Sequence, residues 1–173
     1  MTPEQARFLL DFMLPTLKQE MDTTAKVLAA APNANLDYRP SERCMPAAEL
    51  LWHIASSDVM FVEGILSSGF GKMPEKPENV KTPVQISAWY SRRMSDAIEK
   101  LSAYTPEEAA RIVDFHGFMQ APAAGILKVA VAHGIHHRGQ LSSYIRPMGG
   151  KVPSIYGPSA DENPFAQAEA QAS

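Results

Sequence analysis

Three of the chain's five histidines fall in the opening of one stretch, HGIHHRGQLSSYIRPMGG, residues 133–150. His133 and His137 are four positions apart. On a helix that spacing stacks two side chains on one face, with Cβ atoms about 5–6 Å apart. Two imidazoles so placed can grip one metal ion. His136 lies on the edge of the same face. The competing reading is three hydrogen-bonded polar residues at the rim of a core. Residue 134 is glycine rather than glutamate. The helical H-E-x-x-H signature of metalloproteases is therefore absent, and its built-in general base with it.

Two ligands from one helix leave a metal half-held. His53, in AELLWHIASSD, is the best candidate for a third, because Leu50 and Ile54 mark the face its helix buries. Three neutral imidazoles suit a divalent transition metal (Zn, Ni, Fe or Cu) better than Mg or Ca. Three protein ligands also leave a position open for water or substrate, as catalytic sites do. Gln140 points in nearly the direction of His133 and could hydrogen-bond a ligand ring.

Other residues have two readings each. Glu49, four before His53, orients that ring or is a solvated helix charge. Asp58, five after His53, is a poor angular match. Arg138 attracts an anionic substrate or, the better reading, pairs at the surface. His136 shuttles protons at a pocket rim or is a boundary residue. His116, in VDFHGF, is read as structural. Cys44 is activated by a helix N-terminus or, more simply, inert. Tyr156 covers the pocket from the tail or packs on the bundle end.

The elements that must position these groups are helical. Thr2-Pro3-Glu4 opens the first helix, and Leu10, Leu14, Leu17, Met21, Thr24 and Leu28 make its apolar stripe. Pro15 predicts a bend near residues 11–15. A loop over 33–45 precedes a second helix from near Pro46 to about Ser68, with Leu50, Ile54, Phe61 and Ile65 buried. After a loop over 69–81, Thr82-Pro83 starts a third helix reaching about Ala103. Thr105-Pro106 caps a short turn or helix, and residues 112–120 are irregular or extended. The fourth long helix runs from near Pro122 to near Pro147. Its buried arc is Ile126, Ala130, His133, His137, Leu141, Tyr144 and Met148. No strand-period segment of any length is seen. The pattern predicts an all-α, four-helix bundle with long connections. One domain spans residues 1–157, and a partly flexible tail spans 158–173.

Outside the arc, Val131 and Ile135 lie beside Ala132, Gly139 and Ser142. Such a face suits a partner helix, and close approach of another backbone would explain Gly134 and Gly139, each costing about 1 kcal/mol relative to alanine.

Composition narrows the function classes. The formal net charge is −3, with 45 % hydrophobic and 20 % charged residues. No concentrated basic field favours nucleic acid, and no apolar run reaches the length of a membrane span. A single cysteine and no secretory signal are expected of a cytoplasmic protein.

The segments DYRPSERCMPAAELLWHIA and VAHGIHHRGQLSSYIRPMGGKVPSIYGPSADE resemble the DinB-like (DinB/YfiT-type) family of four-helix-bundle metalloproteins. The H-x-x-x-H-R-G-Q-L core, the lone histidine of the second helix and the element order carry the resemblance. It implies a divalent metal on His53, His133 and His137, and often a homodimer. It also implies, for some relatives, thiol-dependent S-transferase or isomerase chemistry using a low-molecular-weight thiol such as mycothiol, bacillithiol or glutathione. A hydrolase and a non-catalytic metal- or ligand-binding bundle are the other expectations.

Overall fold

The computed structural model describes residues 1–166. Four long helices form the body: α1 (Pro3–Ala30), α2 (Ala47–Leu66), α3 (Pro83–Ser102) and α5 (Ala123–Ile145). Between α3 and α5 come a single-turn helix, α4 (Pro106–Ala110), and two short strands, β1 (Ile112–Phe115) and β2 (Met119–Pro122).

Three of the helix starts use one device. Thr2, Thr82 and Thr105 each cap with the hydroxyl, a proline follows, and Gln5, Gln85 or Glu108 bonds back to the cap backbone. Each box satisfies two backbone N–H groups that the first turn leaves without partners. α1 runs unbroken through Pro15, whereas the sequence suggested a bend there.

α1 packs against α3 and α5, and α2 packs against the same two helices. α1 and α2 therefore face each other across a diagonal of the bundle. The connection over 31–46 crosses that diagonal instead of forming a tight hairpin. α3 and α5 form the other diagonal, linked by α4 and the strands. The core between them is the predicted set: Leu10, Leu17, Met21 and Leu28 from α1, and Leu50, Ile54, Phe61 and Ile65 from α2. Ile126, Ala130, Leu141, Tyr144 and Met148 complete it from the last helix and its end. Burying each large aliphatic side chain contributes about 1.5–3 kcal/mol. Leu14 is only partly buried.

The strands fall largely in the stretch over 112–120 that the sequence marks as irregular or extended, and make a short hairpin that no strand-period segment announces. β1 and β2 pair antiparallel, Ile112 with Pro122 and Phe115 with Met119. His116 and Gly117 turn the hairpin with φ of 51° and 72°, the left-handed region that glycine enters without strain. Four-residue strands are too short to show a period against the surrounding polar residues. Residues 151–162 fold back onto the bundle: Asp161 accepts from Arg146 at 2.8 Å and from the Val152 backbone at 2.9 Å. The end of the tail, expected to fray, lies outside the described residues from 167 onward.

Candidate metal centre

α2 and α5 are packed neighbours, and their facing stripes each break from aliphatic to imidazole. His53 follows Leu50 on the stripe of α2, while His133 and His137 sit one turn apart on α5. The three rings meet, with centroids 5.3 Å apart for His53 and His133, 4.5 Å for His53 and His137, and 4.4 Å for His133 and His137. One nitrogen from each lies within 4.8 Å of the others. The Nε2 atoms of His53 and His137 are 3.3 Å apart. Nitrogens bound at about 2.0–2.1 Å around a tetrahedral zinc would be separated by about 3.3–3.4 Å. The cluster could hold a metal ion.

The far side of each ring is supported differently. Ser57 Oγ is 3.4 Å from His53 Nδ1, and Gln140 Oε1 is 3.1 Å from His137 Nδ1. With Nδ1 engaged, each ring can present Nε2 to the centre of the cluster. Gln140 therefore serves His137, not His133 as its wheel position suggested. His133 Nδ1 is buried with no hydrogen-bond partner, and so is Asp58 Oδ1. These two atoms are 3.8 Å apart. The other Asp58 oxygen, Oδ2, accepts from the Tyr90 hydroxyl at 3.0 Å.

Two of the rings, His53 and His137, are held in the form a metal needs. Burial, then the adjacent His137 and His133 rings, lower the His53 pKa to about 4. Burial also lowers His137, against the raising effect of Gln140. Both are neutral at pH 7. Burial raises Asp58, opposed by His133, Tyr90 and the positive charge of Arg138.

The surroundings are asymmetric. On one side Phe61 lies 5.3 Å from His133, stacks on Phe115 at 5.4 Å, and Phe115 meets Phe70 edge-on at 4.6 Å. The hairpin and the chain after α2 thus form an aromatic wall. On the other side an open groove of roughly 370 Å³ borders His53, lined by Met45, Trp52 and Met73 together with the charged Glu49 and Lys76. Trp52 is braced by Trp89, their rings 4.6 Å apart. Met73 reaches back to Ser57, which donates to its sulfur at 3.6 Å. A mostly apolar groove carrying two charges and reaching His53 of the cluster is a candidate small-molecule site.

Several expectations change here. Arg138 is not a surface residue but the largest fully buried side chain, 1 % exposed. It pairs with Glu20 at 2.6 Å and donates to the Glu20 carbonyl and to Thr24 Oγ1, both at 3.2 Å. Tyr156 neither covers the groove nor packs on the bundle end. Its hydroxyl accepts from Arg138 at 2.5 Å and donates to Glu20 at 2.8 Å. Glu49 lines the groove while Ser57 takes His53 Nδ1. His136 is exposed, and His116 is at the hairpin turn. Cys44 rests against Ser41, whose hydroxyl lowers the thiol pKa. Gly134 makes room for a side chain, not a backbone: a Cβ there would lie 2.9 Å from Asp58 Oδ2. At Gly139 it would meet nothing within 4 Å.

Sequence reasoning missed Asp58. It was measured against His53 on its own helix, where five residues put the two on different faces. Its neighbour is on α5. An aspartate within the apolar stripe of α2, matched by a glycine beside His133, was the available signal.

Comparison with known proteins agrees with this architecture. Residues 8–169 match the DinB family. YjoA of Bacillus subtilis (strain 168), described as uncharacterized, is 31 % identical over 115 residues, 65 % of this chain and 73 % of YjoA. YrdA of the same organism, also described as uncharacterized, is 27 % identical over 158 residues, 88 % of this chain and 91 % of YrdA. The crystal structure of YjoA, a DinB-like protein, superposes with a TM-score of 0.66 at 24 % identity, covering 79 % of this chain and 91 % of that one. A DinB-like protein from Bacillus cereus superposes with a TM-score of 0.68 at 24 % identity, covering 83 % and 95 %. Those two superpositions speak to the fold alone. With the family match spanning nearly the whole bundle and the histidines of α2 and α5 converging within it, the chain belongs to the DinB family.

Proposed function

We propose that this protein binds a divalent transition metal through His53, His133 and His137 and is a metal-dependent enzyme acting on a small molecule in the adjoining groove. The observation that carries the reading is the 3.3 Å separation of the His53 and His137 Nε2 atoms, with the third ring inside the same cluster. A bound divalent ion would supply Lewis acidity, lowering the pKa of water or a thiol or polarising a carbonyl. The chain's own contribution is positioning. Ser57 and Gln140 orient two of the rings. Trp52, Met45 and Met73 offer an apolar bed to a substrate, and the Phe61–Phe115 wall lines the opposite side. Zinc, nickel and iron suit the three imidazoles.

Within that class, thiol-dependent S-transfer using a low-molecular-weight thiol is the reaction we favour, supported by a soft-ligand-compatible site beside an apolar slot. A cytoplasmic location agrees with the one cysteine. A homodimer agrees with the exposure of Phe8, Phe12 and Ile135 on α1 and α5. The second reading is a non-catalytic, dimeric metal- or ligand-binding bundle. It is favoured by one observation: Asp58, the carboxylate nearest the rings, is buried behind His133 rather than open to the groove as a general base.

Elemental analysis of protein purified without an affinity tag, beside His137→Ala, tests the metal. One equivalent in the parent and a loss in the variant is expected; equal content removes the site. A screen of thiols with electrophiles then separates enzyme from binding protein.

A further inference from the structure

We infer that Asp58 is a positioning residue for the cluster, accepting from His133 Nδ1–H and so fixing the tautomer that leaves His133 Nε2 free for a metal. This deepens the reading above and rests on it for the identity of the ligand.

Three independent features converge on the pair. Asp58 Oδ1 and His133 Nδ1 are each buried and each without a partner. They stand 3.8 Å apart, too far for a hydrogen bond but within a small ring rotation of one. An acceptor and a potential donor buried together without bonding would each carry a desolvation cost of about 1–3 kcal/mol. Tyr90 fixes the carboxylate from behind by donating to Oδ2 at 3.0 Å, which leaves Oδ1 as the atom turned to the ring. The backbone opposite is shaped for it. A Cβ at position 134 would lie 2.9 Å from Oδ2 and 3.1 Å from Oδ1. Glycine next to His133 is thus what lets a helix-borne carboxylate sit behind a helix-borne ligand. With Ser57 at His53 and Gln140 at His137, every ring of the cluster then has its own polar support.

The arrangement makes Asp58→Asn a sharp substitution. If Tyr90 goes on donating, as it does to Asp58 Oδ2, the new amide puts its oxygen there and its NH₂ toward His133. That orientation drives the ring to the opposite tautomer, with the proton on Nε2, where it blocks a ligand position. Asp58→Asn combined with Tyr90→Phe removes the constraint and frees the amide to turn its oxygen to the ring.

The test has two arms. In metal-free protein, long-range ¹H–¹⁵N spectra of the histidines read the tautomer directly. His133 is expected as Nδ1–H in the parent and as Nε2–H in Asp58→Asn. In the second arm, zinc affinity is measured by competition with a colorimetric chelator. A loss of about 10–100-fold is expected for Asp58→Asn, with partial recovery when Tyr90→Phe is added. An Nε2–H tautomer in the parent overturns the inference, as does zinc affinity within twofold of the parent in folded Asp58→Asn. A loss that Tyr90→Phe deepens instead of repairing also overturns it, because it marks a packing role. If Asp58→Asn does not fold, the parent spectrum alone decides. A parent that binds no zinc, nickel or iron yet shows the Nδ1–H tautomer refutes the proposed function and leaves the Asp58–His133 pairing standing.

Discussion

His53 and His137 place their Nε2 atoms 3.3 Å apart although they lie 84 positions apart in the chain. Two rings cannot share that gap without a proton or a cation between their lone pairs. Removing either ring should therefore be equivalent. His53→Ala and His137→Ala are each expected to abolish stoichiometric metal, and the double variant to add nothing further. Metal analysis and chelator competition on the three proteins check this. Retained metal in His53→Ala would mean that α5 alone holds the ion.

In metal-free protein, stability should fall with acid in a definite window. The folded pKa of His53 is about 4, depressed chiefly by burial, against about 6.5 for an unfolded histidine. A depressed folded pKa means that the unfolded chain binds the proton first. Its contribution is present above about pH 6.5 and is lost as pH falls toward 4. His137 shifts in the same direction, and raised Asp58 acts oppositely above its unfolded value. Thermal melts in chelator from pH 7 to pH 4 should show His53→Leu losing less stability than the parent. Parallel curves would refute the burial argument.

Arg138 should matter to folding before it matters to chemistry. Its side chain is 2 % exposed and its partner Glu20 13 %. Truncating one member of a buried pair leaves the other charge without compensation, at a cost of about 3–5 kcal/mol. Arg138→Ala is expected to lower urea-unfolding stability by that order, and Tyr156→Phe, which removes the bridging hydroxyl, by about 1 kcal/mol. A change within 0.5 kcal/mol for Arg138→Ala would contradict the buried pairing.

The aromatic wall has its own test. A Cβ on Gly64 would lie 2.5 Å from the ring of Phe70, which packs edge-on against Phe115. Gly64→Ala must push Phe70 outward, with an overpacking cost of about 1–3 kcal/mol. Chemical denaturation should show the loss. Aromatic ¹H shifts at Phe70 and Phe115 should move while those of Trp52, on the far side of the cluster, stay in place.

Much of this was readable from residue order. Proline-marked starts and 3.6-residue stripes located all four long helices to within a few positions, because caps and burial are local or periodic properties. The His53, His133 and His137 grouping was legible for the same reason: each histidine interrupts an apolar face. The strands were not, since Ile112–Phe115 is too short to show alternation and its pairing depends on the left-handed turn at His116 and Gly117. Arg138 was misplaced because a charged residue is usually solvated. Only tertiary structure brings Glu20, Thr24 and Tyr156 to it. Asp58 was hidden similarly, its counterpart lying on another helix.

The long sequence gap within the histidine cluster sets an order of events during synthesis. At about 5–20 residues per second, the ribosome takes about 4–17 s to extend the chain by the 84 positions from His53 to His137. For that interval the nascent chain carries α2 with one imidazole and no α5 to complete the set. If the cluster holds a cation, its three imidazoles come together only after the last long helix leaves the exit tunnel and docks, which would tie capture to a late step of folding rather than to its beginning.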